Sequence, residues 1–415
     1  MVIEDVTRIE PAFIEDSMPT ELADLAMEIQ ADSKELGKGL PEASIRQLRT
    51  FVGIMNSYYS NLIEGHHTRP ADIEKAIAEK NENERVPHIV EARVHVEVQD
   101  WINQFYFDGK LDDCVSSEFI RDIHLNFYKA LPESLHIVQK EGHNDRYVDP
   151  GEFRKVEEDD VVIGKHHPPT STRVAAFMEH FHTRYTMAAK SPINRVVSIA
   201  AAHHRFAYIH PFLDGNGRVG RLMSHAMCLK AGVGANGLWS ISRGLARGLK
   251  GKEEYKIRLA AADLPRQGDR DGRGNLSMAA LREFSEWFLA VMLDQIRFTS
   301  RMFDFERLNE RMPVLAGDVI GAERAAKIVE AILRHGEVAR GDIPYLIAGG
   351  SKPLTGRALQ GDIRELIETG FLVSDTKKGP VRINFPIQFR EKLFPNLFTD
   401  TVLQPPEPPA LNLGR

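Results

Sequence analysis

One stretch of twelve residues in the middle of the chain collects side chains that could handle a nucleotide. It reads HPFLDGNGRVGR and runs from His210 to Arg221. His210 can take up a proton near neutral pH, and Asp214 offers hard oxygen atoms for a Mg²⁺ ion that also touches phosphates. Gly215 and Gly217 permit backbone angles at which consecutive N–H groups converge on an anion. These residue types at this spacing predict a phosphate-binding site with a base beside it.

A helix that begins directly after this turn would strengthen the predicted site. Its N-terminus would add positive potential, and Arg218 and Arg221, three residues apart, would share one face and reach phosphate oxygens. An Asp-Gly-Asn-Gly sequence alone is a common turn. Here, however, every position that can do chemistry is filled at once. The stretch resembles the signature of the Fic family, H-x-F-x-[D/E]-G-N-G-R-x-x-R, at each defined position.

The resemblance implies a protein adenylyltransferase, which transfers AMP from ATP to a Ser, Thr or Tyr hydroxyl of a target protein. His210 would deprotonate the hydroxyl, and Asp214 would hold Mg²⁺ across the α- and β-phosphates. The Gly-Asn-Gly backbone and the Asn216 side chain would stabilise charge on the α-phosphate. Tyr255 is a candidate for the base pocket, with a packing role as the alternative. The other nucleotide-binding residues implied are Gly215, Asn216, Gly217, Arg218 and Arg221.

A second segment, Ser60-Asn-Leu-Ile-Glu64-Gly65, ends a helical pattern that covers residues 42–63. Ser60 and Glu64 lie one turn apart, and a carboxylate near a helix C-terminus is unfavourable unless a cation offsets it. A solvent-facing glutamate is one interpretation. The segment also resembles the inhibitory helix of Fic proteins, [S/T]-x-x-x-E-[G/N], whose glutamate would pair with Arg221 and block the γ-phosphate. The resemblance thus implies an enzyme that its own chain inhibits.

Residues 148–170 interrupt the helical rhythm. Val161-Val-Ile-Gly164 is a β-branched run that ends in glycine, which is typical of one strand of a hairpin. An ordinary surface hairpin is one interpretation. The run also resembles the Fic flap, along which a target segment lies as an added strand. The candidates for target contacts are Arg154, Val161, Ile163 and Gly164.

The rest of the chain is dominated by helical periodicity, which predicts a mainly α fold. We expect a Fic-fold helical core with a β-hairpin flap and a small C-terminal winged-helix domain of mixed α and β structure. The predicted domains are an N-terminal helical region at 1–110 with the inhibitory helix at about 42–65, a catalytic core at 111–310, a winged-helix-like domain at 318–395 and a tail at 396–415. Within them we expect partial order at residues 1–40, one helix across 238–263 and one long helix across 276–305.

The C-terminal domain leaves two functions open. Three predicted helices followed by a hairpin form a winged-helix pattern, and 12 Lys or Arg against 9 Asp or Glu between residues 321 and 395 give a net charge of +3. Because few residues of the wing are basic, we favour a protein-interaction or packing module over DNA binding. A DNA-binding domain would present four side chains to a groove, those of Lys352, Arg357, Gln360 and Arg364.

Composition narrows the remaining classes of protein. The 415 residues carry a net charge of −6, which gives no reason to expect binding to nucleic acid or anionic membranes. Two cysteines, Cys114 and Cys228, fit a reducing compartment, and the chain shows neither a signal-peptide pattern nor a membrane-spanning run. We therefore expect a cytoplasmic protein without membrane contact. By the resemblance its partners are a target protein, the chain itself as a substrate and a second copy in a homodimer. Removal of AMP from a target, with Glu64 orienting water, is the alternative activity.

Overall fold

The computed structural model describes residues 4–12, 14, 18–79, 86–139, 145–348 and 357–398, without the side chains of residues 357, 358 and 387. In this part of the chain helices predominate and the strands are two or three residues long, so the predicted mainly α fold is confirmed. None of these helices combines the length and the apolar character needed to cross a membrane.

The helices and strands are numbered in chain order. The helices are α1 Thr20–Glu35, α2 Glu42–Ile63, α3 Pro70–Glu79, α4 Pro87–Phe107, α5 Ser117–Lys129, α6 Val174–Tyr185, α7 Pro192–Ile209, α8 Asn216–Lys230, α9 Ile241–Arg247, α10 Glu254–Ala261, α11 Met278–Met302, α12 Phe305–Ile320, α13 Glu323–His335, α14 Ile343–Ile347, α15 Arg357–Glu368 and α16 Arg390–Leu393. The strands are β1 Ile137–Val138, β2 Arg146–Tyr147, β3 Glu337–Val338, β4 Leu372–Val373 and β5 Val381–Ile383. β1 pairs with β2, and β5 lies between β3 and β4, all antiparallel.

Two buried helices hold the signature stretch between them. α7 begins with a proline in its first turn, preceded by Ser191, whose side chain accepts a hydrogen bond from the amide of Asn194. Most residues of α7 after Arg195 are buried, because α1, α6, α8 and α11 pack around it. α8 packs against α7, α4 and α5. The stretch therefore comprises the loop after α7 and the first turns of α8, and the core holds both helices in place.

The N-terminal region is more ordered than the sequence predicts. α1 buries Leu22, Ala26 and Ile29 and packs against α11. The apolar steps are helical, but the acidic and polar residues between them obscure the pattern. Residues 4–12 are also held, since the guanidinium of Arg205 on α7 donates hydrogen bonds of 2.8 and 3.2 Å to the carbonyl oxygen of Pro11.

Two helix predictions are wrong. The single helix expected across 238–263 is divided into α9 and α10, because Gly248 has a φ of 65° and a β-carbon there would collide with the carbonyl oxygen of Gly251. The long helix expected across 276–305 ends at Met302, and α12 follows it. The side chain of Asp304 accepts a hydrogen bond from the amide of Arg307 and so starts this second helix.

The start of the predicted tail is packed into the protein. The hydroxyl of Tyr59 on α2 donates to the carbonyl oxygen of Leu397 at 2.8 Å. The ring of Phe394 lies 4.9 Å from the ring of Phe51, which is also on α2. Residues 394–398 therefore brace α2 through apolar and hydrogen-bonded contacts. The rest of the predicted tail, 399–415, lies outside the described residues.

The C-terminal domain contains α13, β3, α14, α15, β4 and β5 in that order. Its winged-helix assignment and its boundaries stay predictions. Of the side chains expected to face DNA, those of Lys352 and Arg357 lie outside the described part of the chain. Arg364 lies 3.7 Å from Glu368 on the exposed surface of α15. An exposed pair one helical turn apart is common on any surface helix, so it adds no support to DNA binding.

Candidate active site

The backbone at the end of α7 holds His210 in an unusual conformation. His210 ends the helix with a φ of 49° and a ψ of 60°, in the left-handed region that few residues with a β-carbon adopt. Its amide still donates to the carbonyl oxygen of Phe206 at 3.0 Å. The chain therefore leaves the helix sharply at His210, and the loop that follows leads directly into α8.

Arg154 does not lie where the flap resemblance places it. Its side chain is buried, with 3% of its surface exposed. Its guanidinium donates to the carbonyl oxygens of Ile209, His210 and Pro169 at 3.3, 2.9 and 3.1 Å, and to the hydroxyl of Ser171 at 2.7 Å. A cation that satisfies the last carbonyls of a helix stabilises its C-terminus. The prediction that Arg154 contacts a target is wrong, because the side chain instead fixes the backbone that carries His210.

We expect Arg154→Met to lower the free energy of unfolding by about 3 kcal/mol, because three carbonyl oxygens would lose a buried cationic donor. Urea denaturation of the full chain measures the change. The neighbouring Lys155, whose side chain is 65% exposed, provides the control: Lys155→Met should change the free energy by less than about 0.5 kcal/mol. Equal effects of the two substitutions would contradict the capping role.

The signature turn places the N-terminus of α8 beside the loop. Gly215 precedes α8 with a φ of 79°, and a β-carbon there would lie 3.0 Å from the ring of Tyr128. The Asn216 side chain accepts from the amide of Phe212 at 2.9 Å and donates to its carbonyl oxygen at 2.8 Å. Both ends of that amide therefore hold the loop together, and one N–H of the Nδ2 group is left over, so the expected contact of this side chain with a phosphate stays a prediction. The N–H groups of the first turn remain the natural anion ligands.

Asp214 lies in the same loop and is held by α5. One of its carboxylate oxygens accepts a hydrogen bond of 2.6 Å from the hydroxyl of Tyr128. Burial and the Asp214 charge raise the pKa of Tyr128 well above its ordinary value, so the phenol stays a donor. In the described residues no group of three or more His, Cys, Asp or Glu side chains could hold a metal. A single carboxylate beside a phosphate site nevertheless fits Mg²⁺, which usually takes one or two protein carboxylates together with substrate oxygens.

The second arginine of the signature is paired with the end of α2. Arg221 has only 1% of its side chain exposed, and its Nη2 atom lies 2.6 Å from an oxygen of Glu64. It also donates to the hydroxyl of Ser60 at 2.9 Å and to the Ser60 carbonyl oxygen at 3.3 Å. Burial raises the pKa of Glu64, but the charges of Arg221 and Arg218 outweigh it and hold this pKa below its ordinary value. The carboxylate is therefore ionised at neutral pH.

The carboxylate of Glu64 also lies against the signature turn. A β-carbon at Gly217 would lie 2.5 Å from the nearer Glu64 oxygen, so this glycine leaves the space that the carboxylate fills. Gly65 follows with a φ of 88° and ends α2. An anionic group thus lies both at the N-terminus of α8 and at Arg221, which is the place that the sequence assigns to phosphates.

His210 is electrically neutral in this environment. Desolvation inside the site lowers its pKa to about 3, and the positive charge of Arg154 acts in the same direction. Asp214 and Glu64 oppose this shift but do not cancel it. A neutral imidazole has a lone pair that can accept a proton.

Three further buried imidazoles make the stability of the fold depend on pH. Desolvation lowers the pKa of His124 to about 4, of His203 to about 3 and of His225 to about 4. Unfolding returns them to ordinary values near 6.5, so their contribution is complete above that pH and is lost as the pH falls. We expect each imidazole to lower the free energy of unfolding by about 1–2 kcal/mol when the pH falls from 7 to 5. Asp100, whose pKa burial raises to about 6, should offset about 1 kcal/mol of this loss.

Urea denaturation at pH 7 and pH 5 measures this dependence. Carboxylates with lowered pKa values do not interfere, because they lose their contribution only below their ordinary values near 4. Asp263, whose pKa two histidine partners hold at about 2 although burial raises it, belongs to that class. A free energy of unfolding that stays constant or rises between pH 7 and pH 5 would contradict the expectation.

The remaining predicted site residues lie in two places. The strand expected at 161–164 is reduced to one bridge between Ile163 and His166, with Gly164 at a φ of 61° in the turn. Val161 is half-buried, and Val162 and Ile163 are exposed with 60% and 42% of their surfaces. Tyr255 is buried, and its hydroxyl lies 2.8 Å from Nε2 of His203. This place fits the packing alternative for Tyr255.

Sequence reasoning missed several side chains that touch the signature residues, and two of them contact charged groups. Tyr128 holds Asp214, and Glu91 on α4 lies 2.9 Å from Arg218. Both residues fall inside ordinary helical patterns, and no local spacing distinguishes them. Only the packing of α4 and α5 against α8 brings them to the site.

The central part of the chain matches a known family. Residues 115–228 match the model of the Fic/DOC family. Proteins named "Protein adenylyltransferase Fic" from Drosophila willistoni and Drosophila ananassae are 32% and 36% identical over 135 residues, which is 30% of this chain and 26% of each relative. The matched part thus spans about a quarter of these relatives.

Solved structures of Fic proteins were also found. One is a Fic domain containing signaling protein from Bacteroides thetaiotaomicron, with a TM-score of 0.48, 17% identity, and coverage of 68% of this chain and 97% of that one. Another is Fic-1 from C. elegans, with a TM-score of 0.47, 16% identity, and coverage of 68% and 71%. From the family match and the curated relatives, residues 115–228 of the chain are similar to the domain of the Fic/DOC family.

Proposed function

We propose that the chain is a protein adenylyltransferase that transfers AMP from ATP to a Ser, Thr or Tyr hydroxyl of a target protein. The name of the curated relatives supports this activity. The observation that carries the proposal is the position of the Glu64 carboxylate, which pairs with Arg221 and lies against Gly217. A site that holds carboxylate oxygens at a helix N-terminus and an arginine is suited to phosphate oxygens.

The polar and charged residues of the signature then have roles in the transfer. The hydroxyl oxygen of the target attacks the α-phosphorus, the bond from that phosphorus to the bridging oxygen breaks, and pyrophosphate leaves. His210 accepts the proton of the hydroxyl. The first N–H groups of α8 stabilise the charge on the α-phosphate, and Arg218 and Arg221 bind the β- and γ-phosphates. Asp214 would hold Mg²⁺, which supplies positive charge to the phosphates when bound.

Glu64 inhibits this reaction in the proposed scheme. Its carboxylate occupies Arg221 and the space beside Gly217, so the end of a polyphosphate cannot take the same place. Ser60 adds two contacts to the arginine and holds it in the inhibited position. Movement of the last turn of α2 would free the arginine for ATP.

Removal of AMP from a modified target is the second candidate. The ionised Glu64 carboxylate acts electrostatically on His210, and a carboxylate in that place could orient a water molecule toward the phosphorus. Incubation of the chain with a target that already carries AMP tests this direction directly. Loss of the label with the unaltered chain, and not with Glu64→Gly, would favour hydrolysis.

The position of a label in ATP shows whether AMP or the terminal phosphate is transferred, and so tests the proposed reaction. The full chain with Glu64→Gly is incubated with Mg²⁺ and ATP that carries label at either the α- or the γ-phosphate. We expect protein-bound label from the α-phosphate alone, on the chain itself or on an added target. Parallel reactions with the other three nucleoside triphosphates identify the donor. Label transfer from the γ-phosphate, or from neither, would overturn the proposal.

A further inference from the structure

Arg218, the first arginine of the signature, is also paired with a carboxylate. Its Nη2 atom lies 2.9 Å from Oε2 of Glu91, and the two side chains are 7% and 13% exposed. The ring of Phe127 lies under the guanidinium at 5.4 Å. The signature motif does not include this acid, which comes from α4. Both arginines expected to bind phosphates are thus occupied by carboxylates, Arg221 by Glu64 and Arg218 by Glu91.

The Arg218 guanidinium has an unused donor. Its Nε atom is buried and has no hydrogen-bond partner among the described residues. A buried donor without a partner is costly, and in native proteins it often indicates a ligand that the chain alone does not supply. An anion that approached Arg218 from the site would therefore gain a donor that Glu91 does not use.

Glu91 has a second partner that it can keep when Arg218 turns away. The same Oε2 atom lies 3.1 Å from Nδ1 of His66. The amide of His66 donates to the carbonyl oxygen of Asn61 at 2.9 Å, so this histidine belongs to the same turn as Glu64. Release of Arg218 to a phosphate would not leave the Glu91 carboxylate alone, which lowers the cost of the exchange.

The carboxylates near Arg218 explain why removal of Glu64 alone would not make both arginines available to phosphates. The guanidinium of Arg218 interacts electrostatically with the carboxylates of Glu91, Glu64 and Asp214. Removal of Glu64 frees Arg221, but Glu91 still neutralises Arg218. The phosphates beyond the α-phosphate would then meet one available arginine instead of two.

We propose that Glu91 is a specificity-determining residue for the phosphate tail of the nucleotide, because it competes with phosphate oxygens for Arg218 as Glu64 competes for Arg221. The inference rests on the proposed function, which assigns the β- and γ-phosphates to these arginines. The competition acts on ADP and ATP and spares AMP, since only the phosphates after the first reach Arg218.

Calorimetric titration with AMP, ADP and ATP in the presence of Mg²⁺ tests the inference. The full chain is compared as Glu64→Gly and as Glu64→Gly with Glu91→Gln. We expect Glu91→Gln to increase the affinity for ADP and ATP about tenfold and to change the affinity for AMP less than about twofold. Glu97→Gln is the matched control: Glu97 lies on the same helix and pairs with Arg93 at 2.7 Å on its outer side, so it should change none of the three affinities.

If Glu91→Gln lowers the stability of the chain, a variant of His66, the second partner of Glu91, provides an independent test. His66→Ala removes the alternative partner of Glu91, so we expect ADP and ATP to bind about threefold more weakly, with AMP unchanged. The His66 side chain is 42% exposed, so the fold should tolerate its loss.

The outcomes separate the inference from the function on which it rests. Weaker ADP and ATP binding after Glu91→Gln would show that Glu91 positions Arg218 for the nucleotide, and an equal change for AMP would show a structural effect; either overturns the inference. If Glu64→Gly binds ATP and Glu91→Gln adds nothing, the inference alone fails. If none of the variants binds a nucleotide or transfers label, the proposed function fails as well.

Discussion

Glu64→Gly should increase self-modification with α-labelled ATP by on the order of 100-fold, which corresponds to about 3 kcal/mol in favour of the nucleotide. The reason is competition, because the substitution removes the anion that occupies Arg221 and the space beside Gly217. Glycine suits the position, since Glu64 follows the last residue of α2 and its capping hydrogen bond is donated by its backbone amide to the carbonyl oxygen of Leu62. Label incorporated per minute into the full chain measures the effect.

Two further variants separate charge from backbone. Glu64→Gln keeps the volume of the side chain and removes its charge, so we expect most of the activation to remain. Asp108→Gly is the control, because Asp108 is likewise a carboxylate that caps the end of a helix, α4, and its pKa is lowered by hydrogen bonds from Lys110 and Gln104 at the surface. Equal labelling of the unaltered chain, the control and both Glu64 variants would contradict inhibition by Glu64.

His210→Asn in the Glu64→Gly background should lower the rate of transfer by about 10³-fold, within the range expected when a general base is lost. Asparagine is chosen because His210 has a φ of 49° and asparagine tolerates the left-handed region better than alanine does. The initial rate of labelling at saturating ATP measures the loss. ATP affinity should stay within about threefold, since the imidazole acts on the hydroxyl and not on the phosphate tail.

His167→Asn provides the control for removal of an imidazole. The side chain of His167 is exposed, and among the described residues the contact of His167 is that of its carbonyl oxygen, which accepts a hydrogen bond from Arg8. The rate of transfer should therefore be unchanged. Transfer by His210→Asn at a rate close to that of its parent, with an intact fold by thermal denaturation, would exclude His210 as the base.

The parts of the site that are contiguous in sequence could be predicted, and those that depend on packing could not. The signature residues from His210 to Arg221 lie together because they are neighbours in the chain. The helix expected at 42–63 is α2, since its apolar spacing and the glycine after it are local signals. Arg154 was misplaced because its partners at Pro169 and Ile209 come from other segments, and no local pattern encodes a buried cap.

The same distinction explains the other differences. The contact of Glu91 with Arg218 joins residues on α4 and α8, so only the folded chain brings the pair together. Asn216 could be identified as part of the turn, but the two hydrogen bonds of its side chain with the backbone of Phe212 depend on the path of the loop. The break at Gly248 follows from a close approach to Gly251, which the helical periodicity around it conceals.

The contacts of residues 394–398 with α2 have a mechanical consequence. The hydroxyl of Tyr59 that holds Leu397 lies on the residue next to Ser60, which holds Arg221. The contact with Leu397 therefore fixes α2 directly before its last turn. Tension on the C-terminal domain would be transmitted along α2 to the contact between Ser60 and Arg221.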